Sequence, residues 1–203
     1  LDFSPDGQFL AAGGDDCRCS IYRLSYEPLV IEWVAEFDRI DRVYAVSFSP
    51  DTRYLAVGGF DGTVAILSTD HIANELNLEA VTEIPRQGLI FAVGWSPDSR
   101  YLAMGGSDKC CSIVECHKSW KVQHEIRRNT SIHAVQWSPT GKYLAIAAAD
   151  TVAIVRDDFR IHKEMDLQNR NNAVCWSPSG NFFCVCGSDK KAVVFDSQNY
   201  SVV

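Results

Sequence analysis

Five times the chain places an aromatic residue before Ser-Pro and follows the pair with a small polar residue. The copies are Phe3-Ser4-Pro5-Asp6-Gly7, Phe48-Ser49-Pro50-Asp51-Thr52, Trp95-Ser96-Pro97-Asp98-Ser99, Trp137-Ser138-Pro139-Thr140-Gly141 and Trp176-Ser177-Pro178-Ser179-Gly180. Successive prolines lie 45, 47, 42 and 39 residues apart. A period of this size means stacked units, none of which can bury its apolar faces alone. Each copy has the chemistry of a tight turn between two strands. Proline presets φ at the second turn position, Asp, Ser or Thr suits the third, and glycine often follows.

The flanks of each turn read as strands. Before it, bulky residues alternate with slim ones: Tyr44, Val46 and Phe48 against Ala45 and Ser47, then Phe91, Val93 and Trp95 against Ala92 and Gly94. Side chains alternate faces along a strand, so each sheet shows one bulky and one slim face, and stacked sheets can pack bulky on slim. After the turn comes a strand apolar on both faces, such as Tyr54-Leu55-Ala56-Val57 or Tyr101-Leu102-Ala103-Met104, which belongs mid-sheet. Small residues and an aspartate follow: Asp16, Asp61, Asp108, Asp150 and Asp189. Asp here bonds nearby backbone N–H groups in a second hairpin turn. Third strands follow at 19–22, 64–67, 112–115, 152–155 and 192–195. More polar fourth strands fall at 31–37, 80–84, 122–126 and 161–165, suited to a wet outer edge. The expected fold is all-β, a β-propeller of four-stranded antiparallel blades, over 1–37, 43–84, 90–126, 132–165 and 171–203. The best helical candidate is 71–78, where Asp70 can cap a turn.

These residues resemble the WD-repeat (WD40) β-propeller family through nearly the whole chain. The resemblance rests on the order strand, "FSPDG", strand, "GGxD" and on the period. Its Trp-Asp ending of the third strand is absent, the chain having Ile21-Tyr22, Ile66-Leu67, Val114-Glu115, Val155-Arg156 and Phe195-Asp196. Its Gly-His pair before the first strand is missing too, so its Asp–His–Ser–Trp arrangement carries over only at the five turn aspartates. The divergent copies are similar to the anaphase-promoting complex subunit 4-like group of WD repeats. The resemblance implies a seven-bladed ring, of which these five blades are a segment, with the terminal blades incomplete and the remaining blades as natural neighbours. An open segment is expected to be unstable or self-associating. The resemblance also implies a scaffold for protein–protein interaction within a multiprotein complex.

Composition narrows the function. With 26 acidic and 19 basic residues the net charge is −7, which argues against broad binding to phosphate backbones. No apolar run approaches the roughly 20 residues of a membrane helix, and no secretory leader is visible. The eight cysteines show no C-x-x-C and no histidine at zinc-ligand spacing. They read as reduced, buried thiols of an intracellular protein, cytoplasmic or nuclear. No cofactor is called for. The five histidines, His71, His117, His124, His133 and His162, form no H-x-x-x-H pair. His133 takes the packing slot of Tyr44 and Phe91. No G-x-S-x-G and no phosphate-loop motif occurs, and a non-enzymatic role follows.

One pattern stands above the scaffold. Seven residues before Val46, Val93 and Val135 stand Arg39, Arg86 and Arg128; four before Val46 and Val174 stand Arg42 and Arg170; Arg127 adjoins Arg128. In a propeller these connections share a face with the aspartate turns. Guanidinium forks there can dock an acidic or phosphorylated peptide, or each can pair with a turn aspartate and tie the blades together. A nucleic-acid-associated module using this arginine-rich face, or a substrate-positioning domain of a larger enzyme, are the alternatives. Secondary candidates for recognition are the insertion at 69–79 and the aromatics Tyr26, Trp33 and Trp120.

Overall fold

A computed structural model describes residues 1–70, 78–116, 118–167 and 171–203. Among these residues every regular element is a strand. The first sheet holds β1 (Asp2–Phe3), β2 (Phe9–Gly13), β3 (Arg18–Tyr26) and β4 (Leu29–Asp38). The second holds β5 (Val43–Phe48), β6 (Tyr54–Gly59), β7 (Thr63–Ser68) and β8 (Ala80–Pro85). The third holds β9 (Ile90–Trp95), β10 (Tyr101–Gly106), β11 (Cys110–Glu115) and β12 (Lys121–Arg127). The fourth holds β13 (Ile132–Trp137), β14 (Tyr143–Ala148), β15 (Thr151–Arg156) and β16 (Ile161–Asp166). The fifth holds β17 (Asn171–Trp176), β18 (Phe182–Gly187) and β19 (Ala192–Asp196), with a bridge from Phe195 to Val202. Each sheet is an antiparallel meander in chain order. The first strands β1, β5, β9, β13 and β17 contact one another in turn, so the sheets stand around a common axis as propeller blades. The helical candidate at 71–78 falls mostly outside the described residues. Leu78 is not helical; its N–H donates to the Glu36 carbonyl at 3.2 Å.

The repeated turn is built as its residues dictate. In the second blade the Ser49 hydroxyl donates to Asp51 Oδ1 at 2.6 Å and accepts the Tyr54 N–H at 2.9 Å. Asp51 Oδ1 also accepts the Arg53 N–H at 3.1 Å. The residue after the third turn position is left-handed in every copy, at Gly7, Thr52, Ser99, Gly141 and Gly180. The Gly-Gly pairs do a different job from turn-making. They end the second strand, where a Cβ on Gly106 would collide with the Leu89 carbonyl oxygen of the same blade. One on Gly58 would meet Ile90 Cγ2 of the next blade at 2.6 Å.

The apolar core is divided into four layers, one between each pair of neighbouring blades. Between the second and third blades, Ala56, Val64 and Ile66 meet Trp95, Leu102 and Met104. The bulky face of each first strand meets the slim face of the blade before it, as the alternation requires. A repeated staple adds direction. Trp95 Nε1 donates to the Ser47 carbonyl at 2.9 Å, Trp137 Nε1 to Gly94 at 3.2 Å and Trp176 Nε1 to Gln136 at 3.2 Å. Tyr54, Tyr101 and Tyr143 of the preceding blade stack on these indoles with centroids 6.3, 6.2 and 6.1 Å apart. Buried indole N–H groups need such an acceptor, and here the acceptor is the neighbouring blade's backbone.

Candidate interaction face

The connections that lead into the first strands and the aspartate turns lie together at one end of the blades. Arg39, Arg86 and Arg128 each follow the last residue of an outer strand, and each turns into the next blade. Their side chains are only 4%, 5% and 5% exposed. Arg39 Nη2 lies 2.6 Å from Asp61 Oδ2, its Nη1 donates to Glu83 Oε1 at 2.8 Å, and Nη2 also donates to the Thr63 hydroxyl. Arg86 Nη2 donates to Asp108 Oδ2 at 2.6 Å and to the Cys110 carbonyl at 2.9 Å, and Nη1 to the Ser112 hydroxyl. Arg128 Nη2 donates to the Thr151 hydroxyl at 2.8 Å and to Glu164 Oε1. Arg39 thus clamps turn, third strand and fourth strand of one blade, Arg86 the turn and third strand, and Arg128 the third and fourth strands.

The aspartates are equally engaged. Asp16, Asp61, Asp108 and Asp189 accept the N–H of the residue two ahead at 3.2, 3.0, 3.2 and 3.1 Å, those of Arg18, Thr63, Cys110 and Lys191. The fourth blade's turn is one residue shorter, and there Asp150 accepts the Thr130 and Thr151 hydroxyls at 2.7 and 3.2 Å. The Thr130 hydroxyl holds the Asp150 carboxyl below the usual carboxylate range. In the fifth blade the corresponding arginine slot holds Leu167, which packs on the last core layer beside Val193.

The remaining arginines differ. Arg42 is 54% exposed, its Nε 3.8 Å from Asp15 Oδ1, and Arg127 is 77% exposed, with Nη2 3.2 Å from Glu125 Oε2. Arg170 lies outside the described residues. Arg127 borders a cleft of about 200 Å³ lined also by Pro85, Arg86, Gln87, Asp108, Cys110, Val122 and Glu125.

On the same face lies a feature that the strand pattern did not reveal. Tyr44 stacks on Phe60 at 5.6 Å, both meet Phe91 edge-on at 5.7 and 6.1 Å, and Phe91 stacks on His133 at 5.4 Å. The arc runs over three blades and Tyr44 is 62% exposed. Alternation groups Tyr44, Phe91 and His133 with the packing residues of their strands. Each is the residue skipped where its strand's ladder shifts register, between Val43 and Ala45, Ile90 and Ala92, and Ile132 and Ala134, so its side chain leaves the core layer and packs on its neighbours instead. The signal was Phe60, an aromatic in a turn where the other copies carry Asp15, Ser107, Ala149 and Ser188. Of the secondary candidates, Tyr26 and Trp33 are exposed. Trp120 packs edge-on to Tyr54 and Trp95 at 5.0 and 6.2 Å. Residues 71–77 of the insertion lie outside the described residues.

Sheets of this order, stapled first strand to first strand, define an all-β, β-propeller-like architecture. Residues 1–23, 35–67 and 80–115 match the family model "WD domain, G-beta repeat". Residues 104–201 match the family model of "Eukaryotic translation initiation factor eIF2A". Neither of these is the anaphase-promoting complex subunit 4-like group. No curated protein sequence matches the chain. WD40 repeat domains generally mediate protein–protein interaction and are generally non-catalytic. The arginines stand before the first strand, where that family has its Gly-His pair, and Arg39 and Arg86 bond the turn aspartates Asp61 and Asp108.

Proposed function

We propose that the chain is a non-enzymatic protein-interaction scaffold of a multiprotein complex, docking partners on the face that carries the aspartate turns. The observation that carries this reading is the arc of Tyr44, Phe60, Phe91 and His133, exposed at Tyr44 and half-buried at the other three. Aromatic side chains give large contact area at low entropic cost and anchor interfaces. The buried Arg39–Asp61 pair fixes the turn that carries Phe60, which lowers the ordering cost of binding there. The neutralised Arg39, Arg86 and Arg128 leave Arg42 and Arg127 to receive a carboxylate or phosphate of an acidic or phosphorylated peptide at the flanks. The buried thiols of Cys19, Cys111 and Cys116 suit work in the cytoplasm or nucleus.

The test is quantitative affinity purification of the wild type against a Tyr44→Ser/Phe91→Ser variant. The reading expects a defined set of co-purifying proteins to be lost while the melting temperature holds. Retention of the whole set would sink it. A second reading, a module that works in translation initiation in contact with RNA, draws on the match over residues 104–201. Steeply salt-dependent RNA binding would favour it; the charge of −7 speaks against it.

A further inference from the structure

The first blade differs from the others at its rim. Every third-to-fourth-strand ladder has a bulge, and beyond it the second, third and fourth blades add only one or two pairs. In the first blade the ladder runs on through Tyr22↔Trp33, Arg23↔Glu32, Leu24↔Ile31, Ser25↔Val30 and Tyr26↔Leu29. The result is a two-stranded ribbon. Its outer strand β4 pairs with β3 alone among the described strands. Among the described residues one further backbone bond reaches β4, from Leu78 to Glu36, on the other side of the bulge.

The side chains along this free edge are unlike those of the other outer strands. Those strands each expose one large apolar side chain, Val81, Val122 and Ile161, among charged neighbours. Charges and prolines on edge strands discourage pairing with other chains. Here Leu29, Val30, Ile31 and Trp33 are 66, 47, 57 and 44% exposed, with only Glu32 among them. Among the described residues this edge has no ladder partner, and with apolar side chains on both faces it fits one kind of occupant, an extended strand.

We propose that the Leu29–Trp33 edge of β4 binds an extended segment of a partner protein as an added strand, one that alternates apolar residues with Lys or Arg. The charge preference comes from the ribbon. Glu27 and Glu32 lie on it with no basic residue on β4, and Arg23 of the inner strand, 4.0 Å from Glu32, offsets only one of the two charges. A second copy is the poorer occupant, because antiparallel pairing of β4 with itself brings the same carboxylates together. This site is separate from the aromatic arc, so either can fail alone.

The probe is a fluorescein-labelled nonapeptide alternating valine with lysine, followed by fluorescence anisotropy against the 203-residue chain. Two further peptides carry glutamate for lysine, or N-methyl groups at alternate residues. The expected result is saturable binding of the lysine peptide, weakened roughly tenfold or more by Ile31→Ser/Trp33→Ser, by N-methylation and by the lysine-to-glutamate change. Equal binding of the N-methylated peptide, which needs no altered protein, would overturn strand addition. Equal binding of the glutamate peptide would overturn the charge preference. Unchanged binding by the Ile31→Ser/Trp33→Ser variant would move the site elsewhere. Self-association abolished by that variant in sedimentation would make the edge a contact between copies and end the proposal.

Discussion

Arg86 and Asp108 form a buried ion pair, 2.6 Å from Nη2 to Oδ2, between the connection that leaves one blade and the turn inside the next. The arginine reaches across from the chain segment that precedes the blade and is held by the turn, the third strand and the Ser112 hydroxyl at once. Removing one partner of such a pair leaves the other charge desolvated. Arg86→Ala is therefore expected to cost about 3–5 kcal/mol in chemical denaturation. Arg127→Ala, on the exposed neighbour, should stay within about 0.5 kcal/mol. The double change Arg86→Ala/Asp108→Ala should lose less than Arg86→Ala alone. Equal losses at Arg86 and Arg127 would contradict the clamp.

The Trp95 staple can be weighed against an internal control. The second blade has Phe48 in the same slot, and there the backbone N–H donates to Asp2 Oδ2 at 2.8 Å. Trp95→Phe removes the donor to the Ser47 carbonyl and is expected to cost about 1–2 kcal/mol, read from the urea midpoint. Trp176→Phe should behave alike.

Thr52 holds φ at 62°, a left-handed conformation that is strained for a β-branched residue. Thr52→Gly is expected to stabilise the chain by about 0.5–1 kcal/mol, seen as a rise in melting temperature. Ser99 has φ 58° yet should not gain, because its buried hydroxyl accepts the Asp51 N–H at 2.9 Å. A gain from Ser99→Gly equal to that from Thr52→Gly would show that backbone strain is not the deciding quantity.

Two carboxyls should shape the acid side of the stability profile with opposite signs. Burial raises the Asp2 carboxyl above its ordinary value, so its favourable contribution is present below the unfolded pKa and is lost as pH rises. Asp2→Asn should therefore stabilise at pH 7 more than at pH 3. The Thr130 hydroxyl lowers the Asp150 carboxyl, so its contribution is present at neutral pH and lost as pH falls through the folded value. Asp150→Asn should destabilise at pH 7 and converge on the wild type in acid. Denaturation at both pH values checks both signs.

Thiol reactivity should follow burial. The thiols of Cys19, Cys111 and Cys116 are pushed up to about 12 by burial, whereas Cys175 is exposed. Iodoacetamide at pH 8 is expected to label Cys175 in the folded chain and to reach the other three only in denaturant. Mass spectrometry of the labelled peptides reads this directly.

The all-β class, the meander and the position of every repeated turn were legible in the amino-acid order alone. Ser-Pro-Asp, the alternation in β5 and β9 and the apolar run of β6 are local chemistry, and local chemistry repeats wherever the residues repeat. The six arginines were also visible as a pattern, with two roles open, but their roles were not. Arg39 and Arg42 are three residues apart; one is buried against Asp61 and the other faces solvent beside Asp15. That difference depends on which way each side chain leaves the connection and on what the next blade presents. The same holds for the arc. Tyr44, Phe60 and Phe91 come from two blades and meet only because the blades stand around one axis. At the rim, the apolar run of β4 reads from sequence as an ordinary outer strand. Only the ladder beyond the bulge leaves its edge free, because strand pairing, not composition, decides which backbone groups are satisfied.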